Sequence, residues 1–187
     1  TNIILSVGYM REKIKERYGD GKAYGVSISY CEEDEPLGTA GCLRLLKDKL
    51  ASTFLLMNAD ELKDVNLAKM YQLHLENDAK ASIALTTVED PSQYGVVVLD
   101  GSKVVGFVEK PKKGQEPSRL INAGLYILEP EVIELVPEGY AMMEADVFPK
   151  LARQGQLFGY PFSGQWFDTS TQDRLKRAQQ QWKGFTK

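Results

Sequence analysis

Ile3-Ile4-Leu5-Ser6-Val7-Gly8 stands close to the start of the chain, and a charged stretch from Arg11 to Tyr18 leads from it into Gly19-Asp20-Gly21. An apolar run closed by glycine reads as a buried strand, and the charged stretch after it as a helix that the next glycines break. Residues 26–30 alternate as a second strand. The acidic loop Glu32-Glu33-Asp34-Glu35 follows, and Leu43, Leu46 and Leu50 share one side of a further helix. This β-α-β-α unit continues in Phe54-Leu55-Leu56-Met57, an apolar strand, and in a helix that carries Leu67, Met70, Tyr71 and His74 at i, i+3, i+4 and i+7.

From residue 81 the pattern changes to successive strands over 82–88, 95–99, 104–109 and 120–128, separated by turns such as Asp100-Gly101. Helical character returns over 131–135 and 145–154, a strand follows over 157–161, and a last helix from Thr171 sets Leu175, Ala178 and Trp182 on one face. No repeat and no linker-like composition divides the chain, so residues 1–187 are expected to form a single domain. Strands alternating with helices predict an α/β fold with a mixed, mostly parallel sheet covered on both sides. In such folds ligands sit outside the carboxyl ends of the strands.

The chain has 187 residues, 43% hydrophobic and 26% charged, as a soluble globular protein does. Its 23 basic and 26 acidic residues leave a net charge of −3, and no basic block is present that could neutralise a phosphodiester backbone, so nucleic acid is not an expected partner. No apolar run approaches the roughly 20 residues that span a bilayer, and Thr1-Asn2 lacks a signal peptide's basic start, so no membrane association is expected and the cytoplasm is the expected location. Cys31, Cys42 and the single His74 are too few for a disulfide framework or a structural zinc. A metal here must be held by oxygen.

Asn58-Ala59-Asp60 follows an apolar strand, where side chains face a crevice, and Asp168 in Gln165-Trp166-Phe167-Asp168-Thr169 also follows a short apolar stretch and precedes a helix. These two distant carboxylates could converge on one Mg²⁺, a cation that keeps waters and takes one or two carboxylates plus substrate phosphates. Either aspartate alone could equally cap a helix or shape a turn. Leu37-Gly38-Thr39-Ala40-Gly41 joins the acidic loop to a helix, where glycines admit a ligand to the backbone and a helix N-terminus offers free N–H donors. Plain capping is the competing reading there.

Glu109-Lys110-Pro111 ends a strand, and the proline is expected to keep Lys110 extended. A lysine so held acts as a point charge for phosphate, with Glu109 accepting hydroxyl hydrogen bonds, although the pair could also be a solvated surface dipeptide. Tyr94-Gly95 and Asn122-Ala123-Gly124 could contact a sugar or merely shape turns. Gly19-Asp20-Gly21-Lys22 has neither the length nor the Ser/Thr of a Walker loop, and His74 lies on the apolar side of its helix, as a packed core histidine would.

The order of these motifs carries more than any one of them. Leu37 to Gly41, Asn58-Ala59-Asp60, Tyr94-Gly95-Val96-Val97, Phe107-Val108-Glu109-Lys110-Pro111, Asn122-Ala123-Gly124-Leu125-Tyr126-Ile127-Leu128, Asp146-Val147-Phe148-Pro149 and Trp166-Phe167-Asp168 succeed one another in a way that resembles sugar-1-phosphate nucleotidylyltransferases over nearly the whole chain. Glu35-Pro36-Leu37-Gly38-Thr39-Ala40-Gly41 and Asp90-Pro91-Ser92-Gln93-Tyr94-Gly95-Val96-Val97 look especially like the mannose-1-phosphate guanylyltransferase branch, with glucose-1-phosphate thymidylyltransferases as near relatives.

The resemblance implies a Rossmann-like nucleotide-diphospho-sugar transferase fold. It implies Asp60 and Asp168 as Mg²⁺ ligands, and Leu37, Gly38 and Thr39 near the nucleobase. Asn58 would join the substrate site, while Gly95, Glu109, Lys110 and Asn122 would hold the sugar phosphate; Lys110 counts with the two aspartates as catalytic. The implied partners are a nucleoside triphosphate, GTP first, and a hexose 1-phosphate, mannose 1-phosphate first. A sugar-phosphate oxygen would attack the α-phosphorus in line and pyrophosphate would leave, with positioning and electrostatics carrying the transfer.

The chain departs from the family pattern in three places. Members open with a strand and a glycine-rich loop that cradles the triphosphate; nothing before Thr1 supplies them, and Gly19-Asp20-Gly21 reads as a plain loop. Ala59 replaces the glycine usual before the metal aspartate, and Asp168-Thr169-Ser170-Thr171-Gln172 stands where Asp-Ile-Gly-Thr-Pro is usual. A domain incomplete at its N-terminus would lack the first strand, normally placed between the strands at Ile3 and Phe54. That leaves two open edges and predicts a truncated chain or a homo-oligomer that completes its sheet. A non-catalytic sugar-nucleotide-binding or regulatory protein is the alternative, which retention of both aspartates argues against; a D-x-D glycosyltransferase is weaker, since Asn58-Ala59-Asp60 is not that motif.

Overall fold

Two parallel strands, Asn2–Val7 (β1) and Ser27–Glu32 (β2), flank a helix over Arg11–Tyr18 (α1), the β-α-β unit that the first apolar runs predict. The computed structural model describes residues 1–186. Beyond β2 come the helix Gly38–Leu45 (α2), the strands Phe54–Met57 (β3) and Glu61–Lys63 (β4), the helix Leu67–Glu76 (α3) and the strand Ala81–Thr87 (β5). Strands Gly95–Asp100 (β6), Lys103–Glu109 (β7) and Leu120–Leu128 (β8) follow, then the helix Phe148–Arg153 (α4), strands Leu157–Pro161 (β9) and Trp166–Asp168 (β10), and the helix Gln172–Gln181 (α5).

The main sheet has six strands in the order β3-β8-β5-β9-β7-β6, and β6 returns to pair with β8 through Val96 and Ile121. The sheet is mixed, as expected, but its balance differs from the mostly parallel one. Among the described residues only β5–β9 within it and β1–β2 outside it are parallel, because β8 runs antiparallel to β3, β5 and β6, and β7 runs antiparallel to β6 and β9. Ile83, Leu85, Tyr126 and Leu128 pack with Leu43 of α2 and Phe148 and Leu151 of α4 on one face. Ala84, Ala123, Leu125 and Ile127 pack with Met70 of α3 on the other. β8 therefore meets apolar neighbours on both faces, which is why it reads as an almost unbroken apolar run.

Among the described residues no ladder joins β1 to β3, so both strands end as open edges of separate sheets. Leu55 and Met57 of β3 are about half exposed, at 48% and 54%. The stretch expected as a helix over 131–135 is a 3₁₀ turn after Pro130, and the one over 145–154 splits into a π-turn, Met143–Val147, and α4. Pro149 in the first turn of α4 has no N–H to continue the preceding ladder, which accounts for the split. His74 is buried as expected, its ring nitrogens 2.9 Å from Ser82 Oγ and 3.0 Å from Glu129 Oε1. Cys31 and Cys42 are free and buried. Among the described residues no helix is long and apolar enough to cross a membrane.

Candidate functional site

Residues 122–124 of β8 are the meeting point. Asn58, just past β3, donates its backbone N–H to Gly124 O at 2.9 Å, and Gly95 at the start of β6 pairs with Glu109 at the end of β7 beside Ile121. Glu61 opens β4 opposite Asp168 at the end of β10. Because the other candidates stand at element ends around Asn122 inside β8, one rim gathers side chains from most of the chain.

The two aspartates come together through the backbone. Thr169, next to Asp168, donates both its N–H (2.8 Å) and its hydroxyl (2.7 Å) to the carbonyl of Asp60. Asp60 lies in a turn with an exposed side chain. Asp168 is more enclosed, its side chain 13% exposed. Its Oδ1 accepts the N–H of Ser170 at 2.8 Å, and its Oδ2 is ion-paired with Arg174. Asp168 thus also shapes the turn into α5, whose N-cap is Thr171, so the turn role and the ligand role fall on one residue. The glycine usual after this aspartate is not required, because Thr169 and Ser170 supply the turn's hydrogen bonds.

The opposed residues Asp168 and Glu61, and Trp166 and Lys63, share one face of the β4–β10 ribbon. Glu61 accepts from Trp166 Nε1 at 2.8 Å and from Asn58 Nδ2 at 3.2 Å, and pairs with Lys63 Nζ at 3.2 Å. Lys63 is buried and donates to Gly124 O at 2.8 Å; burial lowers its pKa, against the opposing pull of Glu61. Gly124 has φ 58°, and a Cβ there would lie 2.5 Å from Glu61 Oε1 and 2.6 Å from Asn58 Nδ2. Only glycine fits this crossing of backbone and carboxylate.

At the other end of the rim, Glu109 lies against Gly95, where an added Cβ would meet Glu109 Oε2 at 2.8 Å. Partial burial, and then the nearby charge of Glu144, raise the Glu109 carboxyl's pKa. Asn122 turns its Oδ1 to the Gly124 N–H at 3.0 Å and its Nδ2 to the Tyr126 hydroxyl at 2.8 Å. Lys110 departs from expectation: its φ is 45°, left-handed rather than extended. Its N–H donates to Tyr94 O at 3.1 Å while Pro111 is buried, so tertiary contacts override the ordinary preference before proline. The ammonium is exposed, 3.8 Å from Glu109 Oε1.

Leu37, Gly38 and Thr39 are half-buried, and part of what the sequence offered for a ligand is used internally. The Leu37 carbonyl accepts the Ala141 N–H at 2.9 Å, and the N–H of Ala40 near the start of α2 donates to the Ala141 carbonyl at 2.9 Å. Gly38, with φ 77°, lets the backbone of Ala141 approach. The Thr39 hydroxyl donates to Glu144 Oε2 at 2.7 Å and accepts from the Met143 N–H at 2.9 Å.

Glu61, Lys63, Trp166, Glu144 and Arg174 are the rim residues that sequence reasoning missed. Charged residues in short strands and turns follow no periodicity, so only the alternation Glu61-Leu62-Lys63 could have marked a strand. For a divalent cation, the donor set is two hard carboxylates tied through Thr169, with no cysteine or histidine at the rim, which fits an oxygen-loving ion. Among the described residues no group of three or more His, Cys, Asp or Glu forms a closed cage. A cation here must therefore complete its shell with water or substrate oxygens.

Comparison with known proteins gives the family. The family model described as nucleotidyl transferase matches residues 1–183. A mannose-1-phosphate guanyltransferase from Saccharomyces cerevisiae is 39% identical over 175 residues, covering 90% of this chain and 48% of that protein. One from Yarrowia lipolytica is 38% identical over 175 residues, covering 89% and 47%. The chain thus spans about half the length of these curated relatives. A crystal structure from Bacillus anthracis, provisionally described as a glucose-1-phosphate thymidylyltransferase and solved with a sucrose, superposes with a TM-score of 0.85 at 25% identity, covering 99% of this chain and 78% of that one.

Proposed function

This chain belongs to the nucleotidyl transferase family, and from that premise we propose that its rim takes part in transfer of a guanylyl group from GTP to mannose 1-phosphate, giving GDP-mannose and pyrophosphate. The relatives named for that reaction support the choice of substrates. The observation that carries the reading is the pair of hydrogen bonds from Thr169 to the Asp60 carbonyl, which keeps two acids 108 residues apart in sequence at adjoining strand ends.

In this reading Asp60 and Asp168 hold one Mg²⁺, which supplies charge neutralisation as pyrophosphate leaves. Lys110 offers a point charge to the sugar phosphate, and Glu109 and Asn122 bond the sugar hydroxyls. Gly95 lets the sugar approach the backbone, Asn58 orients the substrate beside Asp60, and Leu37, Gly38 and Thr39 border the base. Holding the attacking phosphate oxygen in line with the α-phosphorus lowers the barrier by orientation rather than by a covalent intermediate. We further propose that the reaction takes place in the cytoplasm, and that a second copy of the chain pairs with an open edge at β1 or β3.

The test is pyrophosphate release from GTP and mannose 1-phosphate with Mg²⁺, with dTTP and glucose 1-phosphate as comparisons. We expect the guanine–mannose pair to be preferred, and Asp60→Asn or Asp168→Asn to lower turnover on the order of 100-fold or more. Full turnover in both variants would remove the aspartates from the reaction.

A further inference from the structure

We infer that Arg174 is the counter-ion a divalent cation must displace from Asp168, and that, once displaced, it joins Lys110 as a ligand for the phosphate of the sugar monophosphate, reaching it from the adjoining cavity whose Tyr94 accepts the Lys110 N–H. This rests on the reading of Asp60 and Asp168 as cation ligands. Arg174 lies in the first turn of α5 and its Nη1 is ion-paired with Asp168 Oδ2, while the Ser170 N–H occupies Oδ1. Both oxygens of the more enclosed aspartate are thus engaged.

A cation that reaches Asp168 takes the place of the guanidinium, since two positive groups on one carboxylate repel each other. The exchange leaves the partly buried carboxylate compensated throughout, and removal of the arginine without a substitute would not. The released side chain has a defined place to go. Its guanidinium carbon lies 5.8 Å from the centroid of the Tyr94 ring, a face that retains a cation after its ion pair is lost.

Tyr94, Trp166, Arg174 and Arg177 line a cavity of about 540 Å³ together with Thr86 and Thr87, a volume in the range of small-ligand sites. Arg174 and Arg177 are three residues apart on α5 and share a face. The wall also holds Glu89 and Asp90. Two guanidiniums suit a single phosphate, which the arginine fork can bind bidentately, while the sugar hydroxyls stay with Glu109 and Asn122. The lining therefore favours a phosphorylated sugar over a polyphosphate, which the carboxylates would repel.

The exchange predicts a coupling that can be measured on the 187-residue chain. Mn²⁺ binding is titrated by electron paramagnetic resonance, and mannose 1-phosphate and inorganic phosphate by calorimetry, each with and without the other ligand. We expect Arg174→Gln to bind Mn²⁺ at least threefold more tightly than wild type when no anion is present. We also expect Mn²⁺ to strengthen mannose 1-phosphate binding at least fivefold in wild type, and less than half as much in Arg174→Gln. Arg174→Lys, which keeps the charge and the fold but loses the fork, should fall between the two.

Unchanged Mn²⁺ affinity in Arg174→Gln, with circular dichroism showing it folded, overturns the exchange; so does a wild-type coupling factor in that variant. If Arg174→Gln does not fold, an Arg174→Lys variant with wild-type coupling has the same force. Inorganic phosphate coupled as strongly as the sugar phosphate overturns the assignment to a sugar monophosphate. Asp168→Asn reports separately on the cation reading: wild-type Mn²⁺ affinity there removes the ligand role of Asp168, whatever Arg174 does.

Discussion

Thr169 binds the carbonyl of Asp60 twice, through its amide at 2.8 Å and its hydroxyl at 2.7 Å, and so ties the β10 end to the turn that carries the first acid. Thr169→Val keeps the amide bond and loses the hydroxyl one. We expect it to cost about 1 kcal/mol of stability and to weaken divalent-cation binding, while Thr169→Ser retains both properties. Calorimetric melting alongside a Mn²⁺ titration measures the two together.

Glu109 and Glu144 face the same end of the rim, and the Glu109 carboxyl is raised above its usual 4.5 by burial first and by Glu144 second. A carboxyl raised on folding favours the folded state below the unfolded value, and that contribution is lost as pH rises through the folded value. Glu109→Gln should therefore stabilise the chain at pH 7, by roughly 0.5 kcal/mol given its exposure at the rim. The same variant should bind mannose 1-phosphate more weakly. Urea unfolding at pH 7 and at pH 4 is the check, with the gain confined to the higher pH.

Lys63 titrates in the opposite sense on the alkaline side. Its ammonium is pushed below 10.5 by burial, against Glu61. Between the lowered folded value and the unfolded one, the unfolded state binds more protons, so stability rises with pH across that window. A plot of unfolding free energy against pH should climb more steeply for wild type than for Lys63→Met as pH approaches about 10. Lys63→Met should also be less stable at pH 7 by about 1–3 kcal/mol, because Glu61 and the Gly124 carbonyl lose their donor.

Gly124→Ala tests the crossing at the centre of the rim. The new Cβ would sit 2.5 Å from Glu61 Oε1 on a backbone with φ 58°. We expect a loss of about 1–3 kcal/mol, together with displacement of Asn58 and Glu61 visible as a change in Trp166 fluorescence, since Trp166 donates to Glu61.

Much of this molecule can be read in its sequence. Residues 54–57 and 120–128 stand as strands with the boundaries their apolar runs suggest, the longer run because β8 is buried on both faces and the shorter because polar residues close it on each side. Asp60, Gly95, Glu109, Lys110 and Asp168 were legible because they sit at or beside strand ends, which a change between apolar and polar residues marks. The return of β6 to β8 was not legible, since a single pairing of Val96 with Ile121 depends on how the whole sheet curls. Glu144 was missed because its partners Thr39, Asn122 and Tyr126 lie on other elements. The left-handed backbone of Lys110 went against the local rule for a residue before proline, as strained positions at a site commonly do.

Whether Asp60 and Asp168 grip one ion is answered most directly by Mn²⁺ titration of wild type, Asp60→Asn, Asp168→Asn and the double variant. We expect one site per chain, a loss of affinity of at least tenfold in each single variant, and a double variant little worse than either. Two independent losses that simply multiply, or single variants that bind as wild type does, would contradict a shared cation.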